Sequence, residues 1–89
     1  MAWKIEFTET ALRQLDSLDK QVALRISKFL QQRISPLKNP RSIGQALTGE
    51  RFGEFWKYRV GDYRLIAKIE DNRLVIVIVE LGHRREIYR

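Results

Sequence analysis

Lys57 and Arg59 alternate along one candidate strand, and Arg64 falls in the next. All three lie in the stretch Trp56-Lys57-Tyr58-Arg59-Val60-Gly61-Asp62-Tyr63-Arg64-Leu65-Ile66, which reads as a β-hairpin turning at Gly61-Asp62. A glycine in the first place of a two-residue loop suits a type II′ turn, whose twist matches that of the strands. Pairing around it sets Val60 against Tyr63, Arg59 against Arg64 and Lys57 against Ile66. Side chains alternate between faces of a strand, so Lys57, Arg59 and Arg64 share one face. Trp56, Tyr58, Val60, Tyr63 and Leu65 share the other. Two arginines directly opposite repel one another and weaken the ladder. A phosphate between them would remove the conflict. The alternative is a solvated basic strand face, as many antiparallel sheets carry.

A second group of chemistry-bearing residues follows at Gly82-His83-Arg84-Arg85-Glu86-Ile87-Tyr88. A turn at Asp71-Asn72 would set Val79 against Arg64 and bring His83, Arg84, Arg85 and Tyr88 to the Arg59/Arg64 end of the sheet. This collects cations, an imidazole and a phenol, without a pair of carboxylates or a Ser-His-Asp set. One histidine and no cysteine make a metal site an unpromising reading, and no glycine-rich phosphate loop is present. No cofactor is therefore expected. The set suits recognition of a phosphodiester, or cleavage of RNA through its own 2′-hydroxyl. Such a reaction needs a group to take one proton, charge stabilisation on the phosphate, and a proton for the leaving 5′-oxygen. Arginine offers a rigid fork of donors for the second task. Like charges around a lysine favour its neutral form, which can act as a base. His83 reads equally as a surface loop residue, Tyr88 as terminal packing, and Arg85 as a solvated charge or a partner contact. Trp56 and Tyr58 read as core rather than as platforms for bases.

The elements that must position these residues follow from the rest of the chain. Its 89 residues are expected to form a single domain over 1–89. An apolar content of 44% argues against disorder. The net charge of +6 favours an anionic partner, and basic excess is present in both halves rather than in a tail. No apolar run is long enough to span a membrane and the start is not a signal peptide, so a cytoplasmic location is expected. The absence of cysteine excludes disulfides and thiolate chemistry.

Trp3, Ile5 and Phe7 alternate with Lys4 and Glu6 as a half-buried strand. Thr8 caps a helix carrying Ala11, Leu12, Leu15 and Leu18. Asp19 caps a second, with Val22, Ile26, Phe29, Leu30 and Ile34 on one stripe, stopped by Ser35-Pro36. Residues 36–50 form a loop in which Pro40-Arg41-Ser42 is either turn chemistry or a phosphate contact. Two hairpin strands, Phe55–Val60 and Tyr63–Glu70, precede a β-branched strand, Leu74–Leu81. Apolar residues on both its faces point to a central position. Gly82 permits a bend, after which Glu86-Ile87-Tyr88 returns as a short strand or tail. The pattern is β-α-α-β-β-β, an α+β domain whose N-terminal helical hairpin covers one face of a largely antiparallel sheet. The partner of the first strand is not readable.

The hairpin motif, the β-branched strand and Gly-His-Arg-Arg-Glu-Ile-Tyr together resemble the RelE/ParE toxin superfamily across essentially the whole chain, with Leu47-Thr48-Gly49 adding to the likeness. Within it the sequence is more similar to RelE-type members. The resemblance implies the toxin of a type II toxin–antitoxin module: a metal-independent, ribosome-dependent endoribonuclease that cuts mRNA in the A site by 2′-hydroxyl attack and is neutralised by a cognate antitoxin. It implies Lys57 as general base, with Arg59 replacing a second lysine. It implies Arg64 as the phosphate-stabilising arginine, and Arg84 in transition-state stabilisation or leaving-group protonation. Lys57, Arg59, Arg64, Arg84 and Arg85 would contact the RNA. Tyr88 matches a base-stacking tyrosine across a shorter spacing, and His83 replaces a lysine and is a candidate catalytic assistant. No C-terminal helix is expected. The alternatives are a ParE-type gyrase poison acting by protein binding, and an inactive relative that binds only its antitoxin.

Overall fold

The alternation of Trp3, Ile5 and Phe7 forms strand β1 (Lys4–Phe7) in the computed structural model, which describes residues 2–47 and 55–87. Thr48, Gly49 and Tyr88 lie outside the described residues. Thr8 caps α1 (Glu9–Ser17), its hydroxyl accepting from the Ala11 N–H at 3.1 Å. Asp19 caps α2 (Lys20–Phe29) through the Gln21 N–H. Both caps are the ones that the sequence predicts. The second helix does not run as regular α-helix to Ile34. It widens into a π turn over Leu30–Ile34, where the Ser35 N–H reaches the Leu30 carbonyl at 2.8 Å. Ile26, Leu30 and Ile34 are all buried, so the apolar stripe survives the change of pitch. Leu12, placed on the apolar stripe of α1, is instead exposed.

A 3₁₀ turn (Pro40–Ile43) leads into the two-residue strand β2 (Gln45–Ala46). Then follow β3 (Trp56–Val60), β4 (Tyr63–Glu70), β5 (Val75–His83) and the short helix α3 (Arg84–Ile87). Among the described residues the sheet order is β1-β5-β4-β3-β2. The pairs are antiparallel except β1 with β5, which is parallel and sets Ile5 against Ile76. The fold is α+β, and β5 lies inside the sheet, as its apolar faces require. The sequence pattern lacks β2 and α3. A two-residue strand is too short for periodicity to register. The C-terminal stretch forms a helical turn rather than a strand because Ile87 folds back into a buried position over Gly82.

The hairpin register is the expected one: Val60 with Tyr63, Arg59 with Arg64, Lys57 with Ile66. Gly61 has φ +59°, the left-handed value that a glycine supplies without steric cost. The next register departs from expectation, since Arg64 pairs with Gly82 and not with Val79. Two features shift it. The β4–β5 turn spans Asp71 to Leu74, with Leu74 itself at φ 53°, and a bulge at Ile66/Ala67 leaves Val79 as the extra residue of β5. The bulge also changes which residues of β5 face the core: Ile76 and Ile78 before it, Leu81 after it. Its backbone is tied to α1. The Thr8 hydroxyl donates to the Val79 carbonyl at 2.8 Å, and the Leu81 N–H donates to Gln14 Oε1 at 2.8 Å.

The main core lies between the sheet and helices α1 and α2, with Tyr58, Leu65, Ile76, Ile78 and Leu81 from the sheet against Ala11, Ile26 and Leu30. On the other face of β4 and β5, Ile66, Val75 and Ile87 are also buried.

Candidate phosphodiester site

Lys57, Arg59 and Arg64 line one concavity of ≈ 270 Å³ together with Ile43, Gly44 and Gln45. Their convergence has a local cause, the two-residue turn and the alternation of the strands. The facing wall comes from the 3₁₀ turn and β2, and its position depends on Tyr58. The Tyr58 hydroxyl crosses to the core side and donates to the Pro40 carbonyl at 2.6 Å. Burial pushes the phenol up to about 12, partly opposed by Arg41. Arg41 grips Asp71 through two hydrogen bonds, 2.9 and 2.7 Å, and lies 5.8 Å from the Trp56 ring centre. This pairing raises Arg41 and lowers Asp71. The Pro40-Arg41-Ser42 cluster therefore serves turn and wall chemistry, with its guanidinium already committed to a carboxylate.

Arg64 is the buried cation of the site, 8% exposed. Its Nη1 donates to the Gly61 carbonyl at 2.9 Å and the Tyr63 carbonyl at 3.0 Å. The hairpin turn thus holds one end of the guanidinium in place. A guanidinium has five N–H donors, so this arrangement leaves others for an anion in the concavity. No carboxylate pairs with Arg59 or Arg64 among the described residues. Arg59 is exposed while Arg64 is buried, which separates their charges despite the shared register position.

The C-terminal residues divide. Arg84 is tied to the hairpin turn by its N–H, which donates to the Asp62 carbonyl at 2.9 Å, and its side chain is exposed beside that turn. Arg85 is exposed on the same short helix. His83 does not join the Arg64 face. It pairs with Tyr63 on the core-side face, the two rings meeting edge to face at 5.6 Å. Its Nδ1 accepts from the Arg85 N–H at 3.2 Å, so the neutral ring carries its proton on Nε2. The expected gathering of His83 with the three cations is corrected by the one-residue alternation between Gly82 and His83.

One residue on the Arg64 face escaped the sequence reading. A side chain at Gly82 would point at Ile87 Cδ1, 3.6 Å away, and Glu86 Oε2, 3.7 Å away. Glu86 therefore brings a carboxylate to the face of the three cations. Its only sequence signal was its place in the Gly-His-Arg-Arg-Glu motif. Among the described residues no His, Asp and Glu cluster converges as a metal site.

A family model described as "ParE toxin of type II toxin-antitoxin system, parDE" matches residues 5–88. The chain is 34% identical over 89 residues to "Toxin RelG" of Mycobacterium tuberculosis, covering 100% of this chain and 99% of that protein. It is 29% identical to "mRNA interferase toxin RelE" of Escherichia coli, covering 99% and 92%. Among solved structures, the toxin–antitoxin complex RelBE2 of M. tuberculosis superimposes with a TM-score of 0.83 at 27% identity, over 94% of this chain and 93% of that one. The isolated E. coli RelE toxin shares the fold at a TM-score of 0.72 and 23% identity, over 98% and 92%.

Proposed function

Since the chain belongs to the ParE toxin family of type II toxin–antitoxin systems, within the RelE/ParE toxin superfamily, we propose that it is a RelE-type endoribonuclease acting on mRNA in the ribosomal A site. The observation that carries this reading is the convergence of Lys57, Arg59 and Arg64 on one concavity, with the Arg64 guanidinium buried and held by the turn carbonyls. In this proposal the 2′-oxygen of the RNA bonds to phosphorus as the bond to the 5′-oxygen breaks. Lys57 takes the 2′-hydroxyl proton. Arg64 and Arg59 hold the phosphate oxygens as their charge rises. Arg84, beside the hairpin turn, donates a hydrogen bond to the leaving 5′-oxygen, which takes its proton from solvent water. The products are a 2′,3′-cyclic phosphate and a 5′-hydroxyl. The resemblance to a protein called an mRNA interferase supports the same reaction class.

Programmed ribosomes carrying normal mRNA, or mRNA with a 2′-deoxy nucleotide at the cut site, test the reading. Cleavage of the normal strand and none of the deoxy strand is expected. Equal cleavage of both removes the mechanism.

A cognate antitoxin is the partner proposed, since related solved structures are toxin–antitoxin complexes. The net charge of +6 favours an acidic, amphipathic segment. Co-expression with the adjacent small reading frame should yield a complex stable in moderate salt. The ParE description favours a second reading, a gyrase poison acting by protein binding. Pulse labelling after induction separates the two: protein synthesis fails first for the nuclease, DNA synthesis first for the poison.

A further inference from the structure

A second basic concavity, of ≈ 390 Å³, lies where α2 and the π turn meet the hairpin turn. Arg25, Lys28, Gln32 and Arg33 line one side, and Arg59 and Gly61 the other. None of its four cations enters an ion pair among the described residues. Like charges gathered in one hollow repel each other, and a bound anion relieves that repulsion.

Two features build this row. In a regular α-helix Arg33 would rotate away from the line of Arg25 and Lys28. The π turn over Leu30–Ile34 has more residues per turn, so it advances less per residue and brings Arg33 back towards that line. Gly61 does the rest. A Cβ there would stand 3.1 Å from Arg25 Nη1 and 3.3 Å from Cζ, so the guanidinium lies against a bare backbone. Arg59 lines this concavity and also the one that holds Lys57 and Arg64. It can do so because the β2–β3 pairing ends at Lys57 and stops short of Arg59.

We propose that the α2–hairpin concavity is a second phosphate site, which holds another phosphodiester of the RNA while the scissile one sits at Lys57 and Arg64. Arg59 bridges the two across the rim of the sheet. This site presupposes that RNA is the substrate, and it extends the RNA-binding surface from one sheet face to the helical side.

The test compares Arg25→Gln/Arg33→Gln with a control of equal charge loss elsewhere, Lys20→Gln/Lys38→Gln. All four side chains are exposed, so the fold should tolerate both doubles. Binding is read by anisotropy on a short, fully 2′-O-methylated RNA across a salt series, and by co-sedimentation with programmed ribosomes. The Arg25/Arg33 double should weaken binding, and its log K against log salt should be shallower by about 0.7 for each phosphate of a single strand that it no longer neutralises. The control should keep a steeper slope. An effect on the short RNA assigns the phosphate to the substrate strand. An effect confined to ribosomes assigns the concavity to neighbouring RNA and overturns the substrate-strand assignment. Identical slopes for both doubles in both assays overturn the proposal. So does a loss seen only in binding the antitoxin, which makes the surface a protein interface. The methylated RNA cannot be cut, so the result is independent of cleavage. Normal binding to this site by a protein that never cuts unmodified mRNA would sink the nuclease reading instead.

Discussion

Arg64 and Gly82 face each other across β4 and β5, so the buried guanidinium has a strand neighbour without a side chain. Ile87 and Glu86 occupy the space that a larger residue at 82 would claim. A single Cβ at that position would meet them at 3.6 and 3.7 Å, ordinary van der Waals distances. Gly82→Ala should therefore fold normally. Gly82→Val must displace Ile87 and with it α3, at a cost of about 1–3 kcal/mol for overpacking. Denaturant midpoints of the two variants check this, and equal midpoints would show that α3 does not rest on Gly82.

Arg64→Ala should reduce single-turnover cleavage by about 10²–10³, the range for losing one preorganised donor to transition-state charge. Lys57→Ala should lower it by about 10²–10⁴, as for a lost general base. Lys57 and Arg64 lie opposite the helical core, so both proteins should retain native circular dichroism. Wild-type rates in folded variants would remove these two residues from the mechanism.

Gly61 combines a left-handed backbone with close approach of the Arg25 guanidinium. Gly61→Ala should destabilise by about 1–2 kcal/mol, the cost of a Cβ in that conformation. Gly61→Asn should lose less, since asparagine tolerates the region. The clash with Arg25 adds little to stability because a guanidinium tip can move, but it should displace Arg25. Thermal melts of both variants provide the comparison, and asparagine proving worse than alanine contradicts the backbone account.

Tyr58 makes the stability sensitive to alkali. Its folded-state value is pushed from 10.0 to about 12 by burial, so the folded protein favours the protonated phenol. That contribution is complete below pH 10 and is lost as pH rises towards 12. Tyr58→Phe should remove this part of the alkaline loss. At neutral pH it should cost about 1–3 kcal/mol, because the Pro40 carbonyl loses its buried donor. Urea titrations of both proteins between neutral and alkaline pH measure the difference; parallel profiles would contradict the assignment.

Much of the site follows from local chemistry. Gly61-Asp62 sets a two-residue turn, and strand alternation then commits Lys57, Arg59 and Arg64 to one face before any distant contact forms. Thr8 and Asp19 announce their helices because a side-chain oxygen must meet N–H groups only two or three residues on. The parallel pairing of β1 with β5 is different. It joins Lys4 to Val75, and no local steric rule selects that partner. The bulge at Val79 is likewise decided by residues far away in the chain, since Thr8 and Gln14 satisfy the backbone there. Together with the four-residue β4–β5 turn, it determines that Gly82, and not Val79, faces Arg64, and that His83 turns to Tyr63 on the opposite face. Arg25 and Arg33 lie off the apolar stripe that the sequence marks on the second helix. Only the packing of α2 against the hairpin turn brings them to Arg59, because a helix's polar stripe carries no mark of the neighbour that will close a hollow around it.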